Sequence, residues 1–208
     1  WACCIYDIEK HKIILSRDYL GQKPLFYYKD KNKFIFSSQI GGIFLGENNF
    51  SVKPENLKKY YAFSHTPAPF TVYNNIFQLK PGEILSVSTK NLEVKSKIFW
   101  DISDGPDFNE YFNNNHFNTF KSGFTEIVLK HSIADNKVGL LLSGGKDSNI
   151  IKKNLEKRYK DFKTFTLGFE EETYDESKYI KKDNQLNSII KILSKGDIIN
   201  NFKKILNN

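Results

Sequence analysis

Val138-Gly139-Leu140-Leu141-Leu142-Ser143-Gly144-Gly145-Lys146-Asp147-Ser148 is the stretch on which the reading of the second half of the chain turns. Val138 to Leu142 read as a buried strand. Two glycines follow, and then Ile150, Ile151, Leu155 and Tyr159 stripe a helix. A strand that runs through glycines into a helix suits an anion. Glycine has no Cβ, so the backbone can turn sharply and approach a ligand closely. The helix behind it offers unpaired N–H groups and the positive end of its dipole. Ser143 and Ser148 add hydroxyl donors. Asp147 beside a phosphate would repel it unless a cation stood between them, which points to Mg²⁺. The spacing is neither G-x-x-x-x-G-K-[ST] nor G-x-G-x-x-G. The plain alternative is a strand-to-helix turn with Ser and Asp as caps.

Outward from the loop, Phe117, Phe120, Phe124, Ile127, Val128 and His131 fall at helical spacing, and Thr164–Leu167 reads as a second strand. A third helix is expected from Tyr174 onward, with Asp175 near its start. Strand and helix alternate, so this half is expected to be α/β with a parallel sheet. The first hundred residues read differently. Short apolar runs at Ala2–Tyr6, Ile13–Leu15, Leu25–Tyr28, Phe34–Phe36, Glu83–Val87 and Val94–Trp100 are separated by polar turns, the pattern of antiparallel hairpins. Pro54–Ala62 is a short helix opened by proline. Asp104, Gly105, Pro106 and Asn113–Asn115 make residues 103–116 a polar linker. The expectation is therefore an α+β part over 1–102 and an α/β part over 117–208, with no internal repeat.

The 208 residues carry 18 Phe and 11 Tyr, far too many aromatics for a disordered chain. No apolar run approaches the roughly 18 residues of a membrane helix. No leader pattern opens the chain, and a soluble cytoplasmic protein without membrane partners is expected. The only cysteines, Cys3 and Cys4, are adjacent, which excludes a disulfide scaffold and a Cys-based zinc site. They read as buried small hydrophobes. The net charge of +7 raises nucleic acid as a partner, but it is carried by lysine, with arginine only at Arg17 and Arg158. Nucleic acid is accordingly not expected. His11, His65, His116 and His131 have no metal-ligand spacing, and His131 reads as a core residue. Arg17–Asp18 reads as a structural ion pair, the Phe117/Phe120/Phe124 stripe as core, and Glu170–Glu172 as a solvated loop. The chain opens at Trp1, lacks Met, and ends at Asn207-Asn208 straight after a helical pattern. We therefore expect a fragment.

Ser143–Ser148 resembles the S-G-G-x-D-S pyrophosphate loop of ATP pyrophosphatases. Other segments resemble those of glutamine-hydrolysing asparagine synthetases. Arg17-Asp18-Tyr19-Leu20-Gly21-Gln22-Lys23-Pro24-Leu25-Phe26-Tyr27 is similar to that family's R-D-x-x-G-x-K-P-L-Y-Y segment. Phe34-Ile35-Phe36-Ser37-Ser38-Gln39 resembles its strand ending in Ser-Glu, with Gln39 in place of Glu. Pro69, Thr71, Tyr73, Ile76, Leu79 and Pro81-Gly82 resemble a further stretch, as do Phe165–Phe169 and Tyr174–Tyr179. The likeness runs through nearly the whole chain in family order.

The resemblance implies an N-terminal-nucleophile glutaminase part, 1–102, and an ATP pyrophosphatase part, 117–208. The family converts aspartate, ATP and glutamine to asparagine, AMP, pyrophosphate and glutamate through a β-aspartyl-AMP intermediate. Carried over, Ser143, Gly144, Gly145, Asp147 and Ser148 contact pyrophosphate, Asp147 ligates Mg²⁺, and Leu142 and Leu167 line the adenine-ribose pocket. The family's nucleophile is an N-terminal Cys followed by Gly. Neither Cys3 nor Cys4 fits it, so no catalytic residue is assigned here and the nucleophile is expected upstream. A homodimer is left open. Rival readings are an amidotransferase acting on another carboxylate, an RNA-modifying pyrophosphatase, and an inactive nucleotide-binding remnant.

Overall fold

Along Glu83–Ser88 every second residue is buried, the mark of a strand with one face on a core. This strand, β6, is central in an antiparallel sheet of order β1-β2-β6-β7, built from β1 (Ala2–Asp7), β2 (Lys12–Arg17) and β7 (Val94–Ile98). Its register pairs Leu15 with Leu85 and Ile13 with Val87. The computed structural model describes residues 1–105, 114–180 and 187–206. The chain divides into two compact units, Trp1–Asp107 and Phe108–Asn208.

In the first unit a second antiparallel sheet has order β4-β3-β5, with β3 at Phe26–Lys29, β4 at Phe34–Ser37 and β5 at Ile76–Gln78. Two helices accompany it, α1 (Ile40–Phe44) and α2 (Pro54–Phe63), the latter with its proline at the start and Ser64 left-handed at its end. One buried cluster joins Leu15, Leu25, Leu79, Leu85 and Val87. Another joins Tyr28, Ile43 and Ile76. The expected hairpins are present. Glycine-rich α1 and three-residue β5 escape sequence reading because they are short and held by the burial of Ile43 and Ile76 rather than by propensity.

Two residue-level expectations are corrected here. Cys3 and Cys4 are exposed. The reason is that β1 is an edge strand whose residues Cys3–Tyr6 are open to solvent on both faces. Arg17 and Asp18 are both buried but do not pair with each other. The Arg17 guanidinium donates to the carbonyls of Lys23, Leu79 and Gly21. Asp18 accepts from the backbone N–H groups of Leu20, Gln22 and Lys23 and from the Trp1 amino group. Each side chain organises the 18–23 loop through its backbone.

The second unit is a parallel sheet of order β10-β9-β8, formed by β8 (Gly139–Leu141), β9 (Lys163–Phe169) and β10 (Ser188–Leu193). Helices α3 (Asn114–His131), α4 (Lys146–Leu155) and α5 (Lys195–Leu206) complete it. α3 and α4 meet through Thr125, whose hydroxyl donates to Asn154 Oδ1 at 2.7 Å, and Lys157 Nζ donates to the same oxygen at 2.9 Å. Over the described residues 174–180 the expected third helix does not form. Asp175 Oδ1 accepts from the N–H of Ser177 at 3.0 Å, and a 3₁₀ turn stands at Ser177–Tyr179. His131, Phe117 and Phe120 are exposed, not core, because the unit sets no element over that face of α3 among the described residues. The linker readings at Pro106 and Asn113 lie outside the described residues. Asn207-Asn208 lies outside them too.

Candidate functional site

The glycine loop leaves the carboxyl end of β8. The N–H of Leu142 still donates to the carbonyl of Phe165 at 2.8 Å, which extends the parallel ladder by one residue before the chain turns. Gly145 is the N-cap of α4 and so brings no capping side chain, and its own N–H donates to Ser143 Oγ at 3.3 Å. Ser148, on the first turn, folds back. Its hydroxyl donates to the carbonyl of Ser143 at 2.8 Å and lies 3.0 Å from Ser143 Oγ. Asn149 Nδ2 donates to the carbonyl of Gly145 at 2.8 Å. The two serines thus hold the loop closed on itself, leaving the first N–H groups of α4 facing out, an arrangement that favours an anion.

Asp147 and Lys146 are exposed on the first turn of α4, and neither has a hydrogen-bond or ion-pair partner among the described residues. An unpaired carboxylate at a helix N-terminus suits Mg²⁺, which keeps several waters and takes one or two carboxylates plus phosphate oxygens. Among the described residues no cluster of three or more acidic, His or Cys side chains forms a ready-made metal cage.

Gly144 is demanded by packing. A Cβ there would stand 2.7 Å from the carbonyl of Glu176 and 2.8 Å from Tyr179 Cβ. The Asp175–Tyr179 turn therefore lies directly against the loop. Asp175 also reaches back toward the N–H of Phe169, and a Cβ on Gly168 would stand 2.9 Å from its Oδ1. The Ser177 hydroxyl and N–H hold the Asp175 carboxyl below its ordinary range. The part played by this turn is missed by sequence reasoning, which sees only a helix start at Asp175. The glycine at position 144, ahead of a second glycine, is the one signal that something approaches closely.

The two leucines do not meet. Leu142 is buried at 3 % exposure and Leu167 is open at 58 %. By the alternation of the ladder they point to opposite faces of the sheet. What they have in common is main chain near the carboxyl end, the end where open α/β sheets bind ligands. A cavity of about 880 Å³ opens at that end, between Phe169, Tyr174 and the Ser194–Gly196 start of α5.

Comparison with known proteins agrees with this division of architecture. Residues 1–100 match the glutamine amidotransferase domain model, and residues 119–207 match that of asparagine synthase. The chain belongs to the glutamine-hydrolysing asparagine synthetase family. A Methanocaldococcus jannaschii protein provisionally named glutamine-hydrolysing asparagine synthetase 2 is 35 % identical over 191 residues, 87 % of this chain and 36 % of that protein. Asparagine synthetase 1 of Bacillus subtilis is 24 % identical over 209 residues, 99 % of this chain and 33 % of its own length. The asparagine synthetase of Bos taurus is 27 % identical over 191 residues, 82 % of this chain and 31 % of its own. This member of the family thus spans about a third of the length of those relatives. Among the described residues no helix is long and apolar enough to cross a membrane.

Proposed function

We propose that this chain is the glutaminase–synthetase junction of a cytoplasmic enzyme that makes asparagine from aspartate, ATP and glutamine. Residues 1–102 would close an N-terminal-nucleophile glutaminase part, 103–116 would join, and 117–208 would begin the ATP pyrophosphatase part. The observation that carries the reading is the closed Ser143–Ser148 loop at the N-terminus of α4, with Asp147 unpaired beside it.

The chemistry follows from what a carboxylate lacks. It resists nucleophiles until one oxygen becomes a good leaving group. In this reading an aspartate side-chain oxygen attacks the α-phosphorus of ATP and pyrophosphate departs. Ammonia released from glutamine then adds to the acyl carbon of β-aspartyl-AMP, and AMP leaves. The loop's part is the departing pyrophosphate. Gly144, Gly145 and the first N–H groups of α4 offer donors to its oxygens, and Ser143 and Ser148 keep that backbone in place and add hydroxyls. Asp147 would hold Mg²⁺, which when bound supplies positive charge to the phosphates. The adenine and ribose would lie along the carboxyl ends of β8 and β9, at Leu142 and Leu167.

Titration of the chain with Mg·ATP tests this. Heat and a raised melting temperature are expected with the wild type and neither with Asp147→Ala. Absence of both with the wild type would leave a remnant that binds no nucleotide. With the remaining two thirds that the relatives possess joined to this chain, Asp147→Ala should abolish pyrophosphate release while glutamine hydrolysis continues. Loss of both activities together would count against the assignment.

A further inference from the structure

A second cavity, of about 530 Å³, opens at the opposite end of the parallel sheet, and Lys137, Arg158, Lys160 and Lys163 stand on its wall. Lys163 pairs with Gly139 at the first rung of the β8–β9 ladder, so this is the amino end of the strands. The four residue steps from Gly139 to Ser143 set it about 13 Å from the glycine loop. Against the four cations the wall carries one carboxylate, Asp161. None of the four has an ion-pair partner among the described residues.

The wall is more than a scatter of surface lysines. The Arg158 guanidinium sits over the Tyr159 ring, 5.5 Å from its centroid, and the Tyr159 hydroxyl is fixed by donating to the carbonyl of Ser132 at 2.7 Å. Arg158 thereby rests on an anchored ring, its planar fork free to meet an anion. The Phe165 ring lies over Gly139, where a Cβ would stand 2.8 Å from Phe165 Cε2, and gives the cavity an apolar side. Like charges gathered around a concavity repel one another, and the repulsion is relieved when an anion enters.

We propose that this cavity binds a small, multiply charged anion of the polyphosphate class, at a site separate from the glycine loop. The cations ring a pocket of ligand size; they do not run in the stripe that a nucleic-acid backbone would follow. The 208-residue chain is titrated with inorganic tripolyphosphate by calorimetry at low and at moderate salt. Saturable binding that weakens with salt is expected. The charge-reversal pair Arg158→Glu and Lys163→Glu should weaken one class of site at least tenfold, and the milder pair Lys160→Gln and Lys163→Gln should weaken it less. Both keep the wild-type circular dichroism spectrum. Ser143→Ala with Ser148→Ala should leave that class of site intact. Binding that survives both charge pairs, or that vanishes with the two serines, would assign all of it to the glycine loop and overturn the proposal. No binding at low salt would overturn it as well. An RNA oligomer that displaces tripolyphosphate with higher affinity would replace the small anion by nucleic acid.

Discussion

Gly144, Gly82 and Asp18 show how much of this chain depends on single atoms. At Gly144 the missing Cβ is what lets the Asp175–Tyr179 turn close on the loop. Gly144→Val should cost the second unit about 1–3 kcal/mol in urea unfolding and remove Mg·ATP binding with it. Gly82 has φ +62°, and a Cβ there would collide with the Trp100 carbonyl. Gly82→Ala strains both backbone and neighbour, and a lower urea midpoint is its expected signature. Burial works against ionisation of Asp18, but the N–H groups of Lys23 and Gln22 and the Trp1 amino group more than offset it, and its carboxyl is held far below the usual range. A depressed folded pKa stabilises above the unfolded value near 4 and is lost as pH falls through the folded one. Stability should therefore hold steady above about pH 5 and decline on acidification, and Asp18→Asn should flatten that profile. The cysteines make a different point. Partial burial and the neighbouring Cys3 raise the Cys4 thiol above its ordinary value, which is the reverse of what an activated nucleophile needs.

Among the elements, the helix α3–α4 contact and the β2–β6 contact rest on different physics. Asn154 is buried and bonded at both ends of its amide, accepting from Thr125 and Lys157 while donating to the carbonyl of Ile150 at 2.9 Å. Asn154→Leu removes this link while the Thr125 hydroxyl can still donate to the Lys121 carbonyl at 2.9 Å, and should cost about 0.5–1.5 kcal/mol, read as a shift in denaturant midpoint. Leu85 is buried in an apolar cluster with Leu15, Leu25, Leu79 and Val87, and Leu85→Ala should cost about 2–5 kcal/mol. β6, by its alternation, and α2, by the proline at its start, are readable from their own residues. The stretch after Tyr174 is not, because its fate is decided by Asp175 accepting from the N–H groups of Ser177 ahead of it and Phe169 behind it. The apolar run Ser188–Leu193 becomes a strand only because β9 offers it a parallel edge.

For the whole molecule, charge and exposed apolar surface oppose each other. The net charge of +7 falls to zero near pH 9.1, while Leu141, Leu167, Phe117 and Phe120 remain more than half exposed. Self-association, followed by light scattering, should rise as the pH approaches 9 and the repulsion fades. The residues alone were enough for the β-rich first part, the strand-loop-helix and the family, because period, glycine placement and motif spacing are local properties written in sequence order. They were not enough for solvent exposure. Cys3, Phe117 and His131 look like core in a list of residue types and are open in three dimensions, since burial is decided by which element lies across a face. The same holds for the site. Ser148 closing on Ser143, the turn packed on Gly144, and the four cations at the amino end of β8 and β9 bring together residues from separate segments, and only the folded sheet sets them side by side.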